Sequence, residues 1–156
     1  MKKKIFAFLL FLFLSSCGYE AIYSVKNRTN YNFIISELDL IGDRQTNMQI
    51  KQRLNSYSNP SGLEGNKFSL EISSNSEKII TAKDASGDAT KFKNKITVTV
   101  GVSVNGVRKT NFVITESFSY DNNSNTFELR AYENQIKSNL AGIAVDKIVS
   151  KLAQIK

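Results

Sequence analysis

The chain of 156 residues contains no histidine, no tryptophan, one cysteine and one proline. Without histidine, serine–histidine and cysteine–histidine catalysis are excluded. One cysteine cannot form an intramolecular disulfide. Zinc sites of the usual kind draw on cysteine or histidine, so they too lack ligands. No glycine-rich phosphate loop is present. The longest apolar run, Ile5 to Leu14, has ten residues, short of the roughly 20 a helix needs to span a bilayer. An enzyme would have to work through carboxylates or lysine. Asp84, Asp88 and Glu116 are the carboxylates to nominate for a glycan hydrolase, and nothing in the sequence pairs them.

What is present begins at the N-terminus. Lys2, Lys3 and Lys4 precede the apolar run, and Leu14-Ser15-Ser16-Cys17 follows it. A charged region, a short apolar region and small residues before a cut make a secretory signal. A cysteine at the cut resembles a bacterial lipobox. There the thiol receives a diacylglycerol and the cysteine becomes the first residue of the mature chain. An uncleaved membrane anchor, or an ordinary signal with a chance cysteine, are the alternatives. Lipidation accounts for a lone thiol in an oxidising compartment. Two or more acyl chains, at about 0.8 kcal/mol per buried methylene, hold a protein on a membrane stably. The expected division is a signal peptide over 1–16, a lipidated linker over 17–30 and one domain over 31–156, with no cofactor other than the acyl lipid on Cys17.

The formal net charge of +7 falls to +4 once the three leader lysines leave. Sixteen of the 21 basic residues are lysine, a bias that AT-rich genomes produce. Nucleic acid is not an expected partner for an exported lipoprotein.

Tyr31 to Ile41 is β-branched and aromatic and predicts a strand. Asp43 is a candidate N-cap, and Ile50, Leu54 and Tyr57 are spaced as one face of a helix over 44–57. Asn59-Pro60-Ser61-Gly62 is a turn. Lys67 to Ser73 alternates, with Phe68, Leu70 and Ile72 on one face. Its continuation through Ile79, Ile80 and Ala82 changes phase, which predicts a bulge near Asn75. After a polar loop over 83–88, Ala89 to Val104 puts Phe92, Ile96, Val98, Val100, Val102 and Val104 on one face. Lys91, Lys93, Lys95, Thr97, Thr99 and Ser103 share the other. Asn105-Gly106 predicts a two-residue hairpin turn into Val107–Tyr120. A strict turn would send Phe112 and Ile114 to the polar face, so a bulge near Gly106 is expected. Asn125 with Glu128 resembles a capping box. A long helix follows with Leu129, Tyr132, Ile136, Leu140, Ile143, Ile148, Leu152 and Ile155 as its core stripe. Gly142 within it predicts close packing or a bend. The fold class is therefore α+β, order β-α-β-β-β-α, with two helices on one face of a four-stranded, mainly antiparallel sheet.

Three stretches resemble the lipopolysaccharide-assembly lipoprotein family, LptE, in a divergent, alphaproteobacterial-like form. They are Cys17-Gly18-Tyr19-Glu20-Ala21-Ile22-Tyr23, Gly87-Asp88-Ala89-Thr90-Lys91-Phe92, and Ser117-Phe118-Ser119-Tyr120 ahead of a serine- and asparagine-rich gap. Ala21 stands where the family commonly has proline, Ile22 for leucine, and Lys91 where it usually has arginine. The resemblance implies an outer-membrane lipoprotein, not an enzyme, lodged on the periplasmic side or in the lumen of the LptD β-barrel. It would assist that barrel's assembly and help deliver lipopolysaccharide to the outer leaflet.

Lysines are the groups to offer lipopolysaccharide phosphates. Lys83, Lys91 and Lys93 are the candidates, with Lys95 beside them and Arg108 and Lys109 at the far end of the strand. Solvated surface lysines that discourage aggregation are the alternative. The competing function is a free-standing periplasmic lipoprotein that binds another envelope protein or a peptide.

Overall fold

The structure, a computed structural model, describes residues 33–58 and 65–155. Strand β1 is Phe33–Gly42, helix α1 is Arg44–Leu54 and strand β2 is Asn66–Lys83. Strand β3 is Ala89–Val104, strand β4 is Val107–Asp121 and helix α2 is Thr126–Leu152. The order is β-α-β-β-β-α, and the fold is α+β as expected. The sheet runs β1-β2-β3-β4. β1 pairs with β2 in parallel, and the other pairs are antiparallel. Tyr31 and the turn over 59–62 lie outside the described residues.

Both helices cover the same sheet face, so each strand must present its apolar residues to that side. In β3 the requirement is met by plain alternation: Ile96, Val98, Val100 and Val102 are all fully buried. The other strands meet it with bulges. Ser36 is the extra residue in β1. Phe33 and Ile35 before it, and Leu38 and Leu40 after it, all face the helices, and its hydroxyl donates to the Phe68 carbonyl at 3.1 Å. In β4 the extra residue is Lys109, opposite Val102 and Ser103. The expected bulge after the turn is thus present, three residues beyond Gly106. It pairs Val98 with Ile114 and Val100 with Phe112, and so turns Ile114 into the core. Asn105 and Gly106 form the turn itself with φ of 50° and 78°, a twist that suits a two-residue hairpin.

The bulge expected near Asn75 is absent. β2 pairs with β3 without interruption from Phe68 to Ile80, and the irregularities fall at Thr81 on β2 and Thr90 on β3. Phase is kept because Ser74, Ser76, Lys78 and Ile80 continue the helix-facing row while Ile79 faces out. Polar residues occupy inward positions there, and that hid the alternation in the sequence.

Asp43 caps α1 by accepting from the Thr46 N–H at 2.8 Å and its hydroxyl at 2.6 Å. Ile50 and Leu54 are fully buried. A 3-10 turn, Asn55–Tyr57, ends the helix, and Tyr57 stacks on Phe33 with ring centroids 5.7 Å apart. Asn125 caps α2, accepting from the Phe127 and Glu128 N–H groups. The box is half made: the Glu128 carboxylate accepts from the Asn123 side-chain amide at 3.2 Å instead of reaching back.

The 27 residues of α2 reach about 40 Å at 1.5 Å per residue. Its core contacts are Ile136, Leu140, Ala141, Ala144, Val145, Ile148, Val149 and Leu152. Tyr132 and Ile143 were expected in this stripe, but they are 48% and 44% exposed. The buried band is shifted around the helix toward Ala141, Gly142, Ala144 and Val145, because α1 packs there. Gly142 serves that approach: an added Cβ would sit 2.8 Å from the Arg53 guanidinium carbon. No helix among the described residues is long and apolar enough to cross a membrane.

Gly42 gives a test. It has φ of +106°, and a Cβ there would lie 1.9 Å from the Ser74 carbonyl oxygen. Gly87 has φ of +93° with open space around it. We expect Gly42→Ala to lower unfolding stability in urea by about 3 kcal/mol or more, and Gly87→Ala by only about 1 kcal/mol. Equal costs would mean the contact at Ser74 does not constrain the β1–α1 corner.

Candidate functional site

Beyond Gly42, β2 and β3 run on without β1 beside them, and their connecting turn is the tip of the sheet. A rigid turn fixes it. The Asp84 carboxylate accepts from the Ser86 and Asp88 N–H groups, each at 2.9 Å. The Asp84 N–H donates to the Asp88 carbonyl at 2.9 Å, and Gly87 supplies the positive φ.

Strand alternation puts Lys91, Lys93 and Lys95 in a row on the face away from the helices, about 7 Å apart. Lys83 faces Ala89 at the root of the turn. The tip therefore gathers all four lysines named from the sequence, but it also gathers carboxylates. Lys91 pairs with Asp121 at 3.3 Å and Lys95 with Glu77 at 3.5 Å. Asp84 and Asp88 stand in the turn, so four lysines meet four carboxylates. Lys93 sits between Ile79 and Ser119 in the register and has no ion pair among the described residues. These pairs are exposed and individually weak, at about 0–1 kcal/mol, so an incoming anion can displace them.

Arg108 and Lys109 are at the opposite end. The Arg108 guanidinium lies over Gly101, where a Cβ would meet its Nη2 at 2.3 Å. It reaches Glu71 at 3.5 Å. The three nominated carboxylates do not converge. Glu116 faces the helices in mid-strand and pairs with Lys147, whereas Asp84 and Asp88 belong to the tip turn. No cluster of possible metal ligands occurs among the described residues. Cys17 lies outside them.

Beneath the tip, on the helix face, is a polar cluster that sequence reasoning missed. Lys78 reaches Glu133 at 2.6 Å and sits 3.9 Å from the Phe92 ring centroid. The Tyr120 hydroxyl donates its one proton to Glu133 at 2.8 Å, and the Asn94 side-chain oxygen lies 3.3 Å from the same hydroxyl. Asn94 is 1% exposed. Its Nδ2 and the Ser76 hydroxyl are buried without a hydrogen-bond partner among the described residues, which costs about 1–3 kcal/mol per group. Burial alone would push the Glu133 carboxyl up. Hydrogen bonds from Lys78 and Tyr120, with the nearby charges of Lys78 and Lys137, outweigh that and hold it below the usual range. Burial, then the bond to Glu133, raises the Tyr120 phenol well above its ordinary value, so it remains a donor. The signal available in the sequence was the break in apolar alternation at Ser76, Lys78 and Asn94. It marks where the core gives way to ion pairing.

With this geometry in hand, the chain can be compared with solved structures. It has the fold of several lipoproteins. Rare lipoprotein B from Shewanella oneidensis superposes with a TM-score of 0.52 at 15% identity, covering 74% of this chain and 95% of that one. A minor lipoprotein from Acinetobacter baumannii gives 0.55 at 13%, covering 80% and 92%. An uncharacterized lipoprotein B from Nitrosomonas europaea gives 0.50 at 10%, covering 79% and 86%. No protein-family model matches the chain, and no characterised protein matches it by sequence.

The Glu133 cluster predicts acid sensitivity of a definite sign. An unfolded glutamate titrates near about 4.3, and in the folded chain Glu133 titrates lower. Between the two values the unfolded state binds more protons, so stability rises with pH there. The contribution is complete above about 4.3 and is lost as pH falls through the folded value. In urea titrations from about pH 5 to pH 3, the fall in stability should be shallower for Glu133→Gln and for Lys78→Met than for the parent chain. An unchanged slope in both variants would show that the cluster is not linked to folding.

Proposed function

We propose that this chain is a non-enzymatic, lipid-anchored subunit of the outer-membrane lipopolysaccharide exporter, seated in its β-barrel partner. The fold shared with three solved lipoproteins carries the reading. Cys17, at the end of a charged and apolar leader, supplies the attachment point. The family resemblance read from 17–23, 87–92 and 117–120 adds the barrel LptD and lipopolysaccharide as partners.

The sheet suits this role physically. Its uncovered face carries lysine, threonine, serine and carboxylates in short cross-strand pairs, and such a surface is at home against the polar interior of a large barrel. At the tip, lipopolysaccharide phosphates would take the place of Asp121 and Glu77 on Lys91 and Lys95, and would meet Lys93 directly. Lysine serves here as a point charge, without the bidentate fork of arginine, so the site would bind phosphate with little demand on orientation.

Capture of the full-length chain through a C-terminal tag, after detergent extraction, should co-purify an outer-membrane β-barrel. Recovery of the chain alone would sink the assignment. The tip is tested separately. Lys91→Glu with Lys93→Glu should lower retention of lipopolysaccharide at least about tenfold, the scale of a few charge-assisted hydrogen bonds, while circular dichroism stays as in the parent. Undiminished retention would remove the tip from the pathway and leave barrel capture standing.

A further inference from the structure

The two edges of the sheet differ from what isolated sheets usually show. An open edge presents a row of unpaired N–H and C=O groups, and proteins blunt it with charge, proline or a covering element. Among the described residues, β4 is an edge strand throughout its length. From Thr110 to Tyr120 it reads Thr-Asn-Phe-Val-Ile-Thr-Glu-Ser-Phe-Ser-Tyr, with no proline and one charge. That charge, Glu116, is neutralised by Lys147 and turned toward the helices. Alternate residues of this stretch direct their main-chain groups away from β3. Outside the ladder, the one hydrogen bond to its main chain among the described residues is the Thr110 hydroxyl near the Asn111 carbonyl, at 3.5 Å.

Beside this edge, on the helix side, lies an apolar groove of about 250 Å³ between Phe118 and a stripe of α2: Tyr132, Ile136, Leu140 and Ile143. Three of these side chains are large and nearly half exposed: Phe118 at 47%, Tyr132 at 48% and Ile143 at 44%. On the other side of the same edge are Thr115, Ser117 and Ser119, small and polar, with Val113 the one apolar side chain among them, and all are open to solvent.

We propose that the β4 edge and this groove together bind an extended segment of a second polypeptide, added to the sheet as a fifth strand. The chemistry of the surface selects that occupant. A ladder of main-chain donors and acceptors is satisfied by another main chain. An alkyl chain would fill the groove but leave the ladder unpaired. Strand alternation then sets the side-chain pattern. Every second residue is apolar and drops toward Phe118 and Ile143, and the residues between are threonine- or serine-like. Charge sets the direction. Lys109, without an ion pair among the described residues, stands at the hairpin end, whereas Asp121 and Glu128 border the hollow at the other. The segment therefore carries an acidic residue toward Lys109 and a basic one toward Asp121. Asp121 is shared with the tip, where Lys91 pairs with it at 3.3 Å, so a basic residue of the segment competes with Lys91 for it; the groove itself does not depend on the lipid anchor.

The probe is a synthetic nine-residue peptide alternating valine with threonine, aspartate at one end and lysine at the other, added to the full-length chain in detergent micelles. We expect saturable binding, with slowed hydrogen exchange at alternate β4 amides between Thr110 and Tyr120. The same peptide with its central threonine replaced by proline should not bind. Phe118→Glu and Ile143→Glu, both at exposed positions, should each weaken binding by about tenfold or more with thermal melting unchanged. Absence of binding, or binding that neither slows β4 exchange nor responds to these substitutions, would overturn the proposal. Concentration-dependent protection of β4 without peptide would also overturn it, because a second copy of the chain would then be the occupant.

Discussion

Every strand of this sheet must keep its apolar residues on one side, since both helices lie there and nothing among the described residues covers the other. A single-residue slip reverses a strand's faces. β3 obeys without correction and supplies the dry centre, Ile96 to Val102. β1 and β4 obey by inserting one residue each, Ser36 and Lys109. Had either strand lacked its bulge, Leu38 and Leu40, or Ile114 and Tyr120, would face solvent. At about 25 cal/mol per Å² of apolar surface, losing one such pair outweighs any surface ion pair in the molecule.

The same constraint explains why the molecule has two ends of different character. Near α1 the sheet is covered by apolar side chains, and β1 reinforces it in parallel. Beyond Gly42 there is no β1, and only the first turns of α2 lie overhead. There the inner row changes to Ser76, Lys78 and Asn94, and stability comes from the Lys78–Glu133–Tyr120 cluster with Phe92 and Tyr132 packed around it. Buried or half-buried ion pairs add little net stability against an apolar alternative, so this end leans on ion pairing where the other leans on apolar burial. It is also the end that carries the lysine row on the opposite face.

Two surfaces of different chemistry are thus kept apart by the sheet. The uncovered face is largely polar, with charges of both signs and with Ile41, Ile79 and Val113 as its exposed apolar side chains. The β4 edge is almost uncharged, with aromatic and aliphatic side chains beside it on α2. Phe127, at 80% exposure, extends the exposed aromatic character to the start of that helix. A lipid-tethered domain seated in a partner would have use for both: the polar face against a wet wall, the edge for a directional contact.

Much of this was legible in one dimension. The two helices, the four strands, the hairpin turn and the inward row of β3 follow from local spacing, because backbone periodicity and turn chemistry are local properties. So does the need for a bulge between β3 and β4, since Val102 and Ile114 could not otherwise share a face. Position was another matter. The bulge sits at Lys109, where a partner strand makes room, and β2 carries none at Asn75 because polar side chains can face inward if a helix brings them partners. That Tyr132 and Ile143 point outward depends on where α1 packs, and Glu133 finds Lys78 only because a helix and a strand 55 residues apart in the chain are laid together. Pairing across such separations is a property of the assembled sheet, and no window of sequence contains it.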